Sequence, residues 1–356
     1  MSHTALALTV RKTRMILRRP ATFRLGALFL ATPLLTVPGA ARAMSITPFF
    51  DQSVTSQPNS SAIEGGFNAA ARLIGASLAN PVAVNINVSW GSVGGQAMPA
   101  QALGASLDPL YGYFSYAQLR SLLASAATTP TDRAAIAHLP ANPASGTSRY
   151  VLPAAQGKAL GVVAASGSAD GSIGFGTGVR YTFNAANGVA TDTYDFVSVA
   201  AHEIEEVLGR TSGLSSASPS YATPFDLFRY AAPGVSSFAY GAPAYFSLDG
   251  GVTDLGRFNN TGSGDRGDWA STASTLDLQD AYASPSLKLQ FSAADLKALD
   301  ALGWNATGPG APVVLASSVR PLGGQARVPE PASLSLLGLG IVGLLGIRRR
   351  KARRTA

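Results

Sequence analysis

The residues of this chain best suited to chemistry crowd into one short run, Val199-Ala200-Ala201-His202-Glu203-Ile204-Glu205-Glu206-Val207-Leu208-Gly209-Arg210. A histidine and a carboxylate four residues apart stack one above the other on a helix, so His202 and Glu206 can grip one divalent cation. Glu203 can then reach a water beside that cation and serve as general base. At about 100° per residue, Phe196, Val197, Ala200, Ala201, Ile204, Val207 and Leu208 fill one apolar arc. His202 and Glu206 stack on the opposite face above Asp195, with Glu203 at the border. The same polar face also suits a plain solvated surface, with Glu205 outward and Glu206 paired to Arg210 at i,i+4. Against that bland reading, Glu203 and Glu206 at i,i+3 repel unless a cation lies between them. A chain with only 13% charged residues also places three Glu in this one turn.

The elements that must position this helix read as one α+β domain over residues 44–304. Residues 44–60 look like a lead-in segment, and Ile63 to Leu78 carries helical apolar spacing. Val82, Val84, Ile86, Val88 and Trp90 alternate with small or polar residues as in a half-buried strand. Tyr116–Ala126 and Thr131–Leu139 are expected helices, and Gly171–Phe183 has the composition of a hairpin. The chemical helix runs from about Asp195 to Leu208 and ends at Gly209. A second hairpin is expected at Phe246–Val252, within a Gly-, Ser-, Asp- and aromatic-rich stretch from 211 to 290. Ser292–Leu302 is a short helix, with Ser292 and Asp295 forming a capping box and Gly303 as its stop.

Composition narrows the function classes. With no cysteine among 356 residues, disulfide scaffolds and thiolate metal sites are excluded. The net charge of +7 points toward nucleic acid only on first sight. Thirteen of the 27 basic residues lie in 1–43 and 348–356, which leaves 44–347 with 14 basic and 20 acidic residues, a formal charge of −6. Nucleic acid is therefore a poor partner. Residues 1–43 form a signal peptide: a basic start, an apolar run from Leu25 to Val37, and Ala41-Arg42-Ala43 as a small-x-small cleavage pattern. An uncleaved anchor is the alternative, disfavoured because Pro33, Pro38 and Gly39 break the run.

Residues 305–327 form a Pro/Gly/Ser-rich linker. Val328-Pro329-Glu330-Pro331 follows, then an apolar stretch, 332–347, just long enough to span a bilayer, and the basic run Arg348 to Arg354. This tripartite tail, 328–356, resembles the PEP-CTERM sorting signal of Gram-negative bacteria. The resemblance implies processing by an exosortase-type enzyme, transient membrane anchoring, and delivery to the surface or extracellular matrix. An ordinary tail anchor would also leave the body outside the cytoplasm.

The block His202–Arg210 also follows the His-Glu-x-x-His pattern of zinc hydrolases, with Glu206 at the second ligand position. The longer metzincin pattern continues to match at Gly209 and fails at Ser212, and no Met follows Met98 in this body. Together with Pro224-Phe225-Asp226-Leu227-Phe228-Arg229-Tyr230, Tyr245–Gly251, Gly264–Trp269 and Asp295–Trp304, this block resembles a family of exported zincin-type metalloproteases. The resemblance spans roughly 60–304. It implies a zincin-like domain with its active-site helix packed on a twisted sheet, hydrolysing peptide or protein substrates.

By that resemblance His202 and Glu206 are metal ligands and Glu203 is the catalytic base. A catalytic site keeps three protein ligands, and Asp226, the acid of the best-matched downstream block, is the candidate third. His138 reads as structural. Asp249, Asp265 and Asp268 sit in Gly-rich loops, where Asp usually caps turns or could serve calcium. One imidazole with two carboxylates leaves a divalent cation formally neutral, so its water is less acidic than beside three His, and Mn or Ca compete with Zn. The expectation is an alkaline optimum or a metal other than zinc. Two alternatives stay open: a non-catalytic matrix or adhesion protein on a degenerate zincin scaffold, and a surface glycan- or ice-associated binding protein.

Overall fold

The computed structural model describes residues 44–142, 149–215, 221–261, 264–271 and 276–307. The signal peptide, the span at 332–347 and most of the linker lie outside these residues. Among the described residues no helix is long and apolar enough to cross a membrane.

In chain order the first half holds β1 (Ser45–Phe50), α1 (Gln52–Thr55), α2 (Ser60–Ala76), β2 (Ala83–Trp90), β3 (Ser92–Val93), β4 (Gln96–Ala97), β5 (Gly104–Leu107) and β6 (Leu110–Phe114). Next come α3 (Tyr116–Ala126), α4 (Pro130–Ala137), β7 (Tyr150–Pro153), α5 (Ala154–Ala159), β8 (Gly171–Phe175), β9 (Tyr181–Thr182), β10 (Tyr194–Asp195) and α6 (Phe196–Val207). The second half adds a 3-10 turn at Pro224–Phe228, then β11 (Arg229–Ala232), β12 (Val235–Ser236), β13 (Tyr245–Phe246), β14 (Gly256–Arg257) and α7 (Ala293–Ala301). This is a mixed α+β architecture.

The principal sheet has the order β1-β2-β8-β5. β1, β2 and β8 run parallel, and β5 runs antiparallel to β8 at one edge. Val84, Ile86 and Val88 of β2 alternate inward, as a period-two strand requires, and are fully buried. Helix α2 buries Ile63, Phe67, Ala70 and Ile74, and packs tightly enough on α6 that a methyl group at Gly66 would come within 2.6 Å of the Phe196 ring. Phe196 lies at the centre of an aromatic cluster, with ring centroids 4.5 Å from Phe175, 4.9 Å from Phe183 and 5.4 Å from Tyr181. Helix α6 is therefore anchored at its first residue.

Three sequence expectations change. Residues 44–60 are no lead-in: β1 pairs with β2 and Val54 is fully buried, so this stretch is part of the sheet and core. Gly171–Phe183 forms no hairpin, because β8 pairs with β2 and β5 while β9 pairs with β10. The composition is that of strands, but pairing partners are set by distant segments. The domain also runs past 304. Asn305 donates its backbone N–H to Asn80 Oδ1 at 2.6 Å, its carbonyl accepts from Ala79 at 2.7 Å, and Ala306 bridges Leu78. The expected helices at 63–78, 116–126, 131–139 and 292–302 are present within a few residues of their ends. Tyr245–Phe246 and Gly256–Arg257 form a hairpin with a longer tip than expected.

Removing Phe196 would leave a hole among the rings of Phe175, Phe183 and Tyr181. Phe196→Ala is expected to cost about 3–5 kcal/mol and to lower the melting temperature by roughly 6 °C or more, measured by thermal denaturation.

Candidate metal centre

Helix α6 begins where Asp195 caps it, accepting from Val197 N at 3.2 Å and from Ser198 Oγ at 2.6 Å. It ends at Gly209, whose φ of +105° only glycine adopts without strain. The wheel places an apolar arc on one side, as expected, but the polar side is no solvated face. His202, Glu203, Glu205 and Glu206 are all buried. Segments 264–271 and 276–290 and strand β5 cover this face. A fully buried polar face needs partners or a counter-ion.

The His202 ring is fixed from behind. Its Nδ1 lies 2.8 Å from the Leu278 carbonyl oxygen, so the N–H sits on Nδ1 and the lone pair on Nε2 points forward, the arrangement typical of metal-binding histidines. Nε2 lies 3.9 Å from Glu206 Oε1 and 3.7 Å from Asp268 Oδ1. These separations exceed a hydrogen bond and approach the edge of roughly 3.4 Å expected between ligands at ~2.1 Å from one tetrahedral ion. One donor atom each from His202, Glu203 and Glu206 falls within a mutual 4.8 Å. Strand β5 closes the other side. Ser106 Oγ donates to Glu206 Oε2 at 2.7 Å, and a methyl group at Gly104 would overlap the Glu203 carboxylate.

This donor set, one neutral imidazole nitrogen with buried carboxylates, is chemically suited to a divalent cation. His202, Glu203 and Glu206 come together as the spacing suggested. Asp226 does not join them. Its Oδ1 accepts from Ser212 Oγ at 2.6 Å and its Oδ2 from Gly213 N and Thr223 N, each at 2.9 Å. Asp226 thus ties the loop after α6 to the 3-10 turn. Ser212, where the longer zinc pattern would carry a third His, serves that tie. Asp268, one of the three acids expected to cap turns, instead lies beside His202, 3.7 Å from its Nε2. Asp249 and Asp265 do cap turns, through Thr253 and Gly267. His138 sits at the end of α4, its Nδ1 2.7 Å from the Ala134 carbonyl.

Arg210 holds Asp268 in place. Its guanidinium lies 4.2 Å from the centre of the Trp269 ring and 5.1 Å from that of Phe225. Nη1 donates to Gln279 Oε1 at 2.5 Å and to the Gly267 carbonyl at 3.2 Å. Arg210 also lies 3.9 Å from Asp268 and 3.7 Å from Asp295. Arg210, which the solvated-surface alternative places outward, is fully buried against the facing loop. On the opposite flank Glu205, which the solvated-surface alternative turns outward, is fully buried. Burial pushes its carboxyl well above the usual range, with Arg210 opposing that shift. Two small clefts flank the cluster: about 40 Å³ beside Ser106, Asp108, Glu206, Tyr221 and Asp265, and about 10 Å³ beside Leu103, Val199, His202, Glu203 and Leu278.

Asp268→Asn is expected to weaken binding of Zn or Mn at least tenfold in calorimetry, whereas Asp226→Asn should lower the melting temperature and leave that affinity in place. A carboxyl whose folded pKa is raised binds its proton more tightly folded than unfolded, so it costs stability as pH rises above the ordinary glutamate range. Glu205→Gln should therefore raise the melting temperature at pH 8 more than at pH 4.

Comparison with known proteins bears on the tail rather than the body. Residues 327–351 match the PEP-CTERM protein-sorting motif. That motif is the one exosortase recognises, so it implies export and sorting to the cell envelope. No characterised protein and no solved structure matches the chain.

Proposed function

We propose that this chain is a metal-dependent endopeptidase of zincin type, exported and held at the cell surface or in the extracellular matrix. The observation that carries this reading is the convergence of His202 Nε2 with the Glu203 and Glu206 carboxylates in one buried space, with the imidazole tautomer set by Leu278. Its support from the fold is β5. Among the described residues this strand pairs only with β8, and it runs beside Glu203.

His202 and Glu206 would hold the cation, with Asp268 3.7 Å from His202 Nε2 but outside the set of mutually close donor atoms. A divalent ion there supplies Lewis acidity toward a carbonyl and a water. Glu203 takes the proton of the attacking water and returns it to the leaving amine. Ser106 orients Glu206, and Leu278 and Gln279 hold His202 from its ring and backbone sides. Because carboxylates neutralise the cation, the reading favours an alkaline optimum, or Mn or Ca in place of Zn.

The depth of burial favours one second reading. Glu203 is only 1% exposed, and an ion in so closed a place could instead staple α6 to segment 264–290 in a non-catalytic matrix protein. Casein cleavage by residues 44–327, with and without chelator, separates the two. The enzyme reading expects chelator-sensitive cleavage, and Glu203→Gln lowering kcat/KM by about 10²-fold or more while metal stays bound. An inert protein whose melting temperature falls on chelation would establish the staple.

A further inference from the structure

We propose that residues 282–289 form a strap over the His202–Glu203 side of the centre, and that the contact between Asp192 and Ser286 is the latch that releases it. The strap's part in admitting a substrate rests on the hydrolase reading above; its control of access to the His202 ring does not.

His202 and Glu203 are 5% and 1% exposed, and the cleft beside them, about 10 Å³, has room for at most one water. A peptide reaches Glu203 only if one wall moves. Helix α6 forms one wall and Leu103, which leads into the β5–β8 pairing, a second. Leu278 is pinned at both ends, its carbonyl to His202 Nδ1 and its N–H to the Gln290 carbonyl. The remaining wall is Ala283 and Leu289. Between these two the chain forms neither helix nor strand, and Ser284 to Lys288 are half-buried. The ends of this stretch are fixed close together. Ala281 donates to the Trp269 carbonyl at 3.0 Å, Gln290 donates to the Leu276 carbonyl at 2.7 Å, and Asp280 closes a turn on Asp277. A loop pinned at neighbouring points moves as one piece, and irregular segments open more readily than a paired sheet or a packed helix.

What holds the strap down is local and strained. Among the described residues only Asp192, at φ +55°, and Ser286, at φ +65°, adopt left-handed backbone without being glycine, and the two meet. Asp192 N–H donates to Ser286 Oγ at 3.0 Å, and Ser286 N–H donates to the Thr193 carbonyl at 2.8 Å. Such backbone is unfavourable for a serine and persists only where its surroundings impose it. The Asp192 side is firm, because Thr193 Oγ1 lies 2.7 Å from Thr182 Oγ1 and donates to the Ala190 carbonyl at 2.8 Å. The strap is therefore the side that moves. A longer tie, from Ser198 Oγ of α6 to the Leu289 carbonyl at 3.3 Å, holds its far end. Opening breaks these bonds, relieves the strain at Ser286, and uncovers the His202 ring and the Glu203 carboxylate together.

The chain has no cysteine, so Asp192→Cys with Ser286→Cys places a single disulfide across the latch. The full chain, stripped of metal, is treated with diethylpyrocarbonate, and modification of each histidine is followed by mass spectrometry with the exposed His138 as internal standard. The lock should slow modification of His202 about tenfold or more relative to His138, since only wider unfolding then bares the ring, and a phosphine reductant should restore it. Ser286→Ala, which removes the Oγ acceptor, should speed His202 modification about fivefold at an unchanged melting temperature, and decides the matter if the disulfide does not form. An unchanged His202 rate in the locked chain, or a rise in Ser286→Ala that merely follows a lower melting temperature, overturns the strap. The two readings fail separately. Protection of His202 by the lock in a chain that cleaves nothing keeps the strap and removes the hydrolase. Chelator-sensitive casein cleavage that continues undiminished in the locked chain keeps the hydrolase and removes the strap from its path.

Discussion

The candidate centre depends on one guanidinium. Arg210 lies just past the end of α6, stacks on Trp269 and Phe225, and hydrogen-bonds Gln279 and the Gly267 carbonyl. Each contact reaches toward the segment that covers α6. Gln279 in turn donates to the His202 carbonyl at 3.0 Å, and Leu278, one residue earlier, supplies the oxygen that orients the imidazole. Asp268 sits between Arg210 and His202. Without this clamp the imidazole would lose its fixed tautomer and the neighbouring carboxylate together. A buried guanidinium is costly unless its donors and its faces are used; here Nη1 makes both hydrogen bonds and the rings of Trp269 and Phe225 lie against the group, while Nε and Nη2 have no hydrogen-bond partner among the described residues.

The electrostatics around α6 are those of a crowded acid interior. Glu203, Glu205, Glu206, Asp268 and Asp295 are all buried within reach of one helix. Burial raises the carboxyls of Glu205 and Asp295 well above their ordinary range, and Arg210 opposes the rise in each. A chain that uses few charges elsewhere spends them here in an arrangement that costs stability as a plain fold. Costs of this kind concentrate at functional sites. The acids also divide by environment. Asp226 and Asp249 are saturated with backbone and hydroxyl donors and serve loop geometry, whereas Asp268 and Asp108 face the centre and its cleft.

Export and chemistry lie in separate parts of the chain. The tail that matches the sorting motif begins at residue 327, beyond the packed body. The body's last described residues, Asn305 to Thr307, are tied back to Ser77–Asn80. The sorting motif and α6 are thus far apart in the sequence, and the basic charge of the whole chain says nothing of what the mildly acidic body binds.

Local physics made much of this legible in the linear chain. The 3.6-residue spacing of Ile63, Phe67 and Ile74, the alternation along Val84, Ile86 and Val88, the start of α6 at Asp195 and the cap at Ser292 depend only on neighbours within a turn or two. The pairing of His202 with Glu206 depends on one helical turn, and the sorting tail on composition. What tertiary structure alone decided is whatever joins segments far apart: β8 paired to β2 and β5, β1 built into the sheet, Glu205 turned inward, and Asp268 rather than Asp226 beside the imidazole. Asp226 and Asp268 look alike as letters in Gly- and Pro-rich surroundings. Hydrogen-bond donors arriving from Ser212 and Gly213 occupied one, and the stacking of Arg210 on Trp269 positioned the other. No periodicity encodes such long-range contacts.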